Sequence, residues 1–158
     1  MPVRVSLRWI LVFSLTVALT LYFYPLRGEA SLWRPLFVFL VVVYWLFAEP
    51  HRLGIGFAWL AGLGLDILTG GVPGRHALAM AVCAYLICLA GQRLHHFSVW
   101  HQTVLVSLLA VLYQSVIVFV NLLVGREFTI LFMYYPVVTT VLLWPLTVGI
   151  LSRFYCPE

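Results

Sequence analysis

Six apolar runs, near residues 9–24, 33–48, 53–68, 76–91, 103–124 and 129–152, leave little polar sequence between them. A helix needs about 20 mostly apolar residues to cross a bilayer, so runs of this length and number place the fold in lipid. Charged residues make up 9% of the 158 and hydrophobic residues 64%, whereas a soluble domain carries about 25% charged residues. Six spans consume roughly 120 positions and leave no room for a soluble domain. The expected fold class is an all-α membrane protein: one polytopic domain over 1–158, with about six transmembrane helices in a single bundle. Function is then expected inside the bilayer or at its surface.

The breaks between runs carry helix-stop and turn residues. Pro25 ends the first run, Pro35 suits the first turn of the second, and Glu49-Pro50-His51-Arg52 makes a tight polar turn. Thr69-Gly70-Gly71-Val72-Pro73-Gly74 closes the third run. Arg4 and Arg8 precede an apolar stretch reaching Leu26. That stretch is longer than the usual 7–15-residue core of a secretory signal, so it is read as a retained first helix. Six spans put both termini on one side, with Arg4, Arg8, Arg52, Arg93 and Arg153 there and Arg27, Arg34, Arg75 and Arg126 opposite. The arginines flanking the first helix make the terminal side cytoplasmic. Trp9, Trp33, Trp100 and Trp144 fall near the expected interfaces and fit membrane anchoring. Cys83 and Cys88 in one apolar run, and Cys156 near the C-terminus, read as small packed thiols.

Asp66 is the only aspartate, set at the end of the glycine-rich run GIGFAWLAGLGLDILTGG. Residues four apart share a helix face, so Asp66 lies on a stripe with Gly54, Ala58, Gly62 and Gly70. Small-residue stripes let a second helix approach closely, which turns Asp66 toward protein rather than lipid. An ionised aspartate at bilayer depth costs roughly 2.5–3.5 kcal/mol, and the negative end of its own helix opposes it. Compensation is available from Arg75, His76, Arg34 or the backbone amides of Thr69–Gly71, or from protonation. The bland reading is an acid that orders the helix-end turn or a helix junction. A small-molecule or ion ligand and a contact to a partner protein stand beside it. A second polar stripe, Ser107, Gln114 and Asn121, recurs every seven residues and reads as glue between helices.

Several function classes lose support. His95, His96 and His101 have no acidic or cysteine companion at ligand spacing and read as a headgroup-facing cluster, so no metal or cofactor is expected. One Asp and four scattered Glu cannot supply the acid cluster of a metal-dependent lipid-modifying enzyme, and no activated nucleophile is evident. No basic run is long enough for nucleic acid. A non-enzymatic protein is expected.

The ordered combination Pro50-His51-Arg52, Gly54-Ile55-Gly56, Gly62, Asp66-Ile67-Leu68-Thr69-Gly70, Gly74 and Ala77-Leu78-Ala79 resembles the MreD family of rod shape-determining membrane proteins. Arg34-Pro35, Tyr44-Trp45 and Trp144-Pro145 extend the likeness over nearly the whole chain. Family members commonly carry Ser where this chain has Thr69, which keeps the hydroxyl. The resemblance implies a component of the bacterial inner membrane that helps maintain rod shape and lateral peptidoglycan synthesis. It implies direct association with MreC, a single-span protein, and membership of an assembly with MreB, RodA and penicillin-binding protein 2. It also implies a fold like the membrane substrate-binding subunits of vitamin-uptake transporters. Pro50, His51, Arg52, Gly54, Gly56, Ala58, Gly62, Asp66, Gly70 and Gly74 are the structural or partner-contact candidates. The alternative is a small-solute or lipid-binding transport subunit whose cavity Asp66, Gln114 and Asn121 line.

Overall fold

The computed structural model describes residues 7–24, 33–49, 52–90, 98–125 and 134–154. Among these the chain forms six α-helices and no strands: α1 Leu7–Phe23, α2 Phe37–Ala48, α3 Ile55–Thr69, α4 Arg75–Ala90, α5 Val99–Leu123 and α6 Tyr135–Phe154. In α5 and α6, the stretches Trp100–Leu123 and Tyr135–Arg153 are long and apolar enough to cross a membrane; α1 to α4 are shorter apolar helices.

The bundle is built around α2. Its sequence, FVFLVVVYWLFA, has no polar face, and Val38 to Phe47 are all buried. A helix that is apolar all round has no side to give to water and belongs in the interior. Helices α1, α6, α4 and, more lightly, α3 pack on it, while α5 lies between α4 and α6. The outer surface carries large apolar side chains on every helix around α2, among them Phe13, Ile67, Leu89, Leu108 and Leu142. A hydrocarbon solvent explains that coat, since water would not tolerate an apolar surface of this extent.

Polar groups between helices set the register. The Trp45 indole N–H donates to Ser14 Oγ at 2.9 Å, joining α2 to α1. Arg34 reaches back to the end of α1, donating from Nη1 to the Tyr22 carbonyl at 2.8 Å and from Nη2 to that of Tyr24 at 3.2 Å. Those carbonyls belong to the last turn, where helix geometry leaves acceptors free and cations are favoured. Thr140 Oγ1 accepts the Leu36 N–H at 2.9 Å and donates to the Pro136 carbonyl, tying α6 to the start of α2. Phe39 meets Tyr113 with ring centroids 4.9 Å apart, and Trp33 stacks on Tyr135 at the same distance with planes 1° apart.

The helix bounds differ from the sequence-based ones where caps decide. Helix α2 starts at Phe37 rather than 33, and Pro35 precedes it instead of lying in its first turn: Leu36 has φ −81° and ψ 66°, and the Phe37 N–H donates to the Pro35 carbonyl at 2.9 Å in a tight turn. No breaker separates Ser98 from Thr103, and α5 runs back to Val99. Helix α6 starts at Tyr135, with Pro136 in the first turn, where a missing N–H costs nothing. Two further expectations are corrected. Trp144 is fully buried rather than interfacial, set edge-on against Phe47 at 5.7 Å, because it faces α2. Cys83 is buried, but Cys88, five residues on and therefore on another face of α4, is exposed. Trp9 (71% exposed) and Trp100 (81%) lie on the outer surface.

Candidate functional site

Asp66 sits in the last turn of α3 and is 2% exposed. Its carboxylate is turned onto the start of α4: Oδ1 accepts the His76 N–H at 3.1 Å, and Oδ2 accepts those of Gly74 at 3.0 Å and Ala77 at 3.1 Å. The first amides of a helix have no partner within it, and a side chain at the capping position normally serves them. Here that position is Gly74, whose φ of +91° suits glycine and which has no side chain to offer. Asp66 supplies the cap from the preceding helix, and the positive end of α4 offsets its charge. The compensation therefore comes from the backbone of Gly74 to Ala77, not from an ion pair with Arg75 or Arg34 and not from the amides of Thr69–Gly71.

The same turn is held from α3. Gly70, at φ +60°, ends the helix with its N–H on the Asp66 carbonyl at 3.1 Å, and Thr69 Oγ1 donates to the Leu65 carbonyl at 2.9 Å. Below it, Gly62 lies directly against α4: a Cβ on Gly62 would stand 2.6 Å from Ala77 Cα and 2.7 Å from its nitrogen. Ala58 is buried on the same face. The small-residue stripe thus closes α3 onto α4 within the chain. Gly54 precedes the helix, Gly56 faces outward with nothing within 4 Å of a Cβ, and Arg52 is exposed and paired with Glu49 at 3.6 Å. Pro50 and His51 lie outside the described residues.

A buried pair that the sequence did not single out continues the network. His76 Nδ1 and the Tyr113 hydroxyl are 2.6 Å apart, joining α4 to the middle of α5 beneath Phe39 of α2. The signal for Tyr113 was its place among Val106, Ala110, Ile117 and Asn121, three or four apart on one face of α5. His76 Nε2 and Asn121 Oδ1 are buried without a partner. Of the polar stripe, Gln114 and Asn121 are buried, whereas Ser107 is only partly so and bonds the Val104 carbonyl of its own helix at 2.7 Å.

Away from this hub, α1 and α6 stand apart over α2 and leave an apolar groove of about 620 Å³. Trp9, Phe13, Val17 and Leu21 form one wall, four residues apart along α1; Leu143, Leu146 and Ile150 form the other. Phe37, Leu40 and Val41 of α2 are its floor. From Trp9 to Leu21 the wall runs about 18 Å at 1.5 Å per residue. The hydroxyls in the lining are already used, Ser14 by the Leu11 carbonyl and Trp45, and Thr147 by the Leu143 carbonyl.

Residues 3–154 match the family model for the rod shape-determining protein MreD. The chain belongs to the MreD family. It is 30% identical over 122 residues to the rod shape-determining protein MreD of Haemophilus influenzae, an alignment covering 77% of this chain and 75% of that protein. No solved structure matches the chain. Membership supports a role in rod-shape determination and a membrane location. In this MreD-family chain, the described residues that carried the likeness do different things. Gly62, Asp66, Gly70 and Gly74 build the α3–α4 junction, Arg34 caps α1, and Gly56 is left on the outside.

Proposed function

We propose that this chain is a non-catalytic, six-span component of the cell-elongation machinery that docks MreC in the bacterial inner membrane, with both termini cytoplasmic. The observation that carries the reading is the α1–α2–α6 groove in a member of a shape-determining family. Within lipid, helices associate by packing rather than by escape from water. A groove about 18 Å long with hydrocarbon walls and its hydroxyls already satisfied suits a transmembrane helix, such as the single span of MreC. It offers nothing directional to a polar solute. Gly56, on the exposed face of α3, marks a second surface a helix can approach. The Asp66 junction, Ala58 and the buried amides Gln114 and Asn121 then act by holding the scaffold rigid. MreB, RodA and penicillin-binding protein 2 join through the same assembly.

The test is co-purification. Tagged protein solubilised in mild detergent is expected to carry its MreC, and deletion of the gene is expected to turn rod-shaped cells round. Failure of both would sink the reading.

A further inference from the structure

We propose that Arg75 holds the phosphate of an anionic phospholipid at the end of the bundle where α3 turns into α4. The inference rests on α3 and α4 crossing the bilayer and is independent of MreC. Each other described arginine whose side-chain placement is known has its own compensation. Arg34 spends Nη1 and Nη2 on the free carbonyls ending α1, Arg52 pairs with Glu49, and Arg153 sits exposed in the last turn of α6, where the helix end is negative. Arg75 is placed against the field: it is the first residue of α4, at the positive end of a helix. The nearby carboxylate, Asp66, spends its oxygens on Gly74, His76 and Ala77 and forms no ion pair with Arg75. The Arg75 side chain makes no hydrogen bond or ion pair to any described residue, and its Nε, like that of Arg34, is buried without a partner.

The guanidinium is nonetheless positioned. It lies over Gly71, where a Cβ would come within 2.9 Å of Nη2 and 3.0 Å of Cζ, so the glycine leaves the space it occupies. Beside it His76, 6% exposed, leaves Nε2 unpartnered. An unpaired guanidinium presents a planar set of donors that matches a phosphate's oxygens two at a time. Depth favours a lipid as the source. This end also carries exposed Tyr24 and the Trp33–Tyr135 stack, aromatic residues of the kind that settle at headgroup level. Basic sites between helices at that level recruit anionic headgroups.

The experiment reconstitutes wild type, Arg75→Gln and Arg153→Gln in vesicles of mixed phosphatidylglycerol and phosphatidylcholine, re-extracts them, and counts retained lipid by native mass spectrometry. Wild type and Arg153→Gln are expected to keep phosphatidylglycerol, and Arg75→Gln about tenfold less, the loss of one charge-assisted two-point contact. Equal retention by wild type and Arg75→Gln overturns the proposal, as does an equal fall in Arg153→Gln. Inorganic phosphate that stabilises lipid-free wild type but not Arg75→Gln would make this a free-anion site and overturn the lipid source. Loss of MreC by Arg75→Gln with its lipid intact would assign Arg75 to a protein carboxylate instead. If Arg75→Gln melts early, Arg75→Lys decides: it keeps the charge without the fork and must melt like wild type yet retain less lipid. Failure of wild type to bind MreC leaves every lipid outcome readable.

Discussion

Gly62 and Ala77 meet backbone against backbone: a Cβ on Gly62 would fall 2.6 Å from Ala77 Cα and 2.7 Å from the His76 carbonyl oxygen. Neither atom belongs to a side chain that can swing away, so the α3–α4 spacing is set at this contact. Gly62→Ala is expected to push the helices apart and lower stability by about 1–3 kcal/mol, the range for overpacking. Gly64→Ala, with nothing within 4 Å of its Cβ, is expected to be neutral or to gain up to about 1 kcal/mol from better helix propensity. Thermal melts of the two variants in one detergent check the difference. Equal losses would refute the close approach.

Asp66 discriminates between an amide and a hydrocarbon. Asn can keep its oxygen where Oδ2 accepts Gly74 and Ala77, but its NH2 then faces the His76 N–H, donor against donor. The expected cost is about 1–3 kcal/mol, one spoiled buried bond. Leu leaves all these amides unpaired and is expected to cost more than Asn. A melting temperature for Asp66→Leu at or above that of Asp66→Asn would contradict capping as its role.

Tyr113→Phe removes the hydroxyl 2.6 Å from His76 Nδ1 and leaves the buried imidazole with no side-chain partner. A loss of about 1–3 kcal/mol follows from the unsatisfied ring nitrogen. Replacing His76 by Phe as well removes both polar partners, and the double variant is expected to recover much of that loss. A double-mutant cycle measures the coupling, and strict additivity would argue that the two rings do not interact.

Thr140→Val tests the α2–α6 tie with almost no change in shape. It deprives the Leu36 N–H of its acceptor and is expected to destabilise by about 1–3 kcal/mol. Hydrogen exchange should rise at Leu36 while Asp66-capped amides such as Ala77 stay protected. Unchanged exchange at Leu36 would count against the bond.

Filling the groove separates docking from folding. Val17 and Leu146 line opposite walls and are partly open to the outside, so Val17→Trp or Leu146→Trp adds bulk without disturbing the core. Each is expected to reduce MreC recovered by co-purification severalfold while leaving the melting temperature within a few degrees. Undiminished MreC would remove the groove from the interface.

Much of the Asp66 stretch was legible in the sequence because spacing alone sets which residues share a helix face. Ala58, Gly62 and Asp66, four apart, do lie together against α4. What lies on the other side of a face is not periodic. The stripe suggested room for a neighbouring helix but could not say that the neighbour is the next helix of the same chain. Cys88 and Trp144 failed for the same reason: depth along a run was visible, but direction around the bundle was not. The His76–Tyr113 pair and the Thr140 tie were missed because each joins residues far apart in the chain, 37 and 104 positions, and helical spacing says nothing about such partners.

The sequence by itself determined the solvent, the helical class and the family, since these follow from composition, the length of the apolar runs, and an ordered set of turn residues. Tertiary structure decided who compensates Asp66, which helix forms the core, and where the surface opens. The physical reason is that lipid tails offer no hydrogen bonds, so a buried polar group such as the Asp66 carboxylate is stabilised chiefly by partners inside the protein. Which partner it finds depends on how α2 gathers the other helices around it.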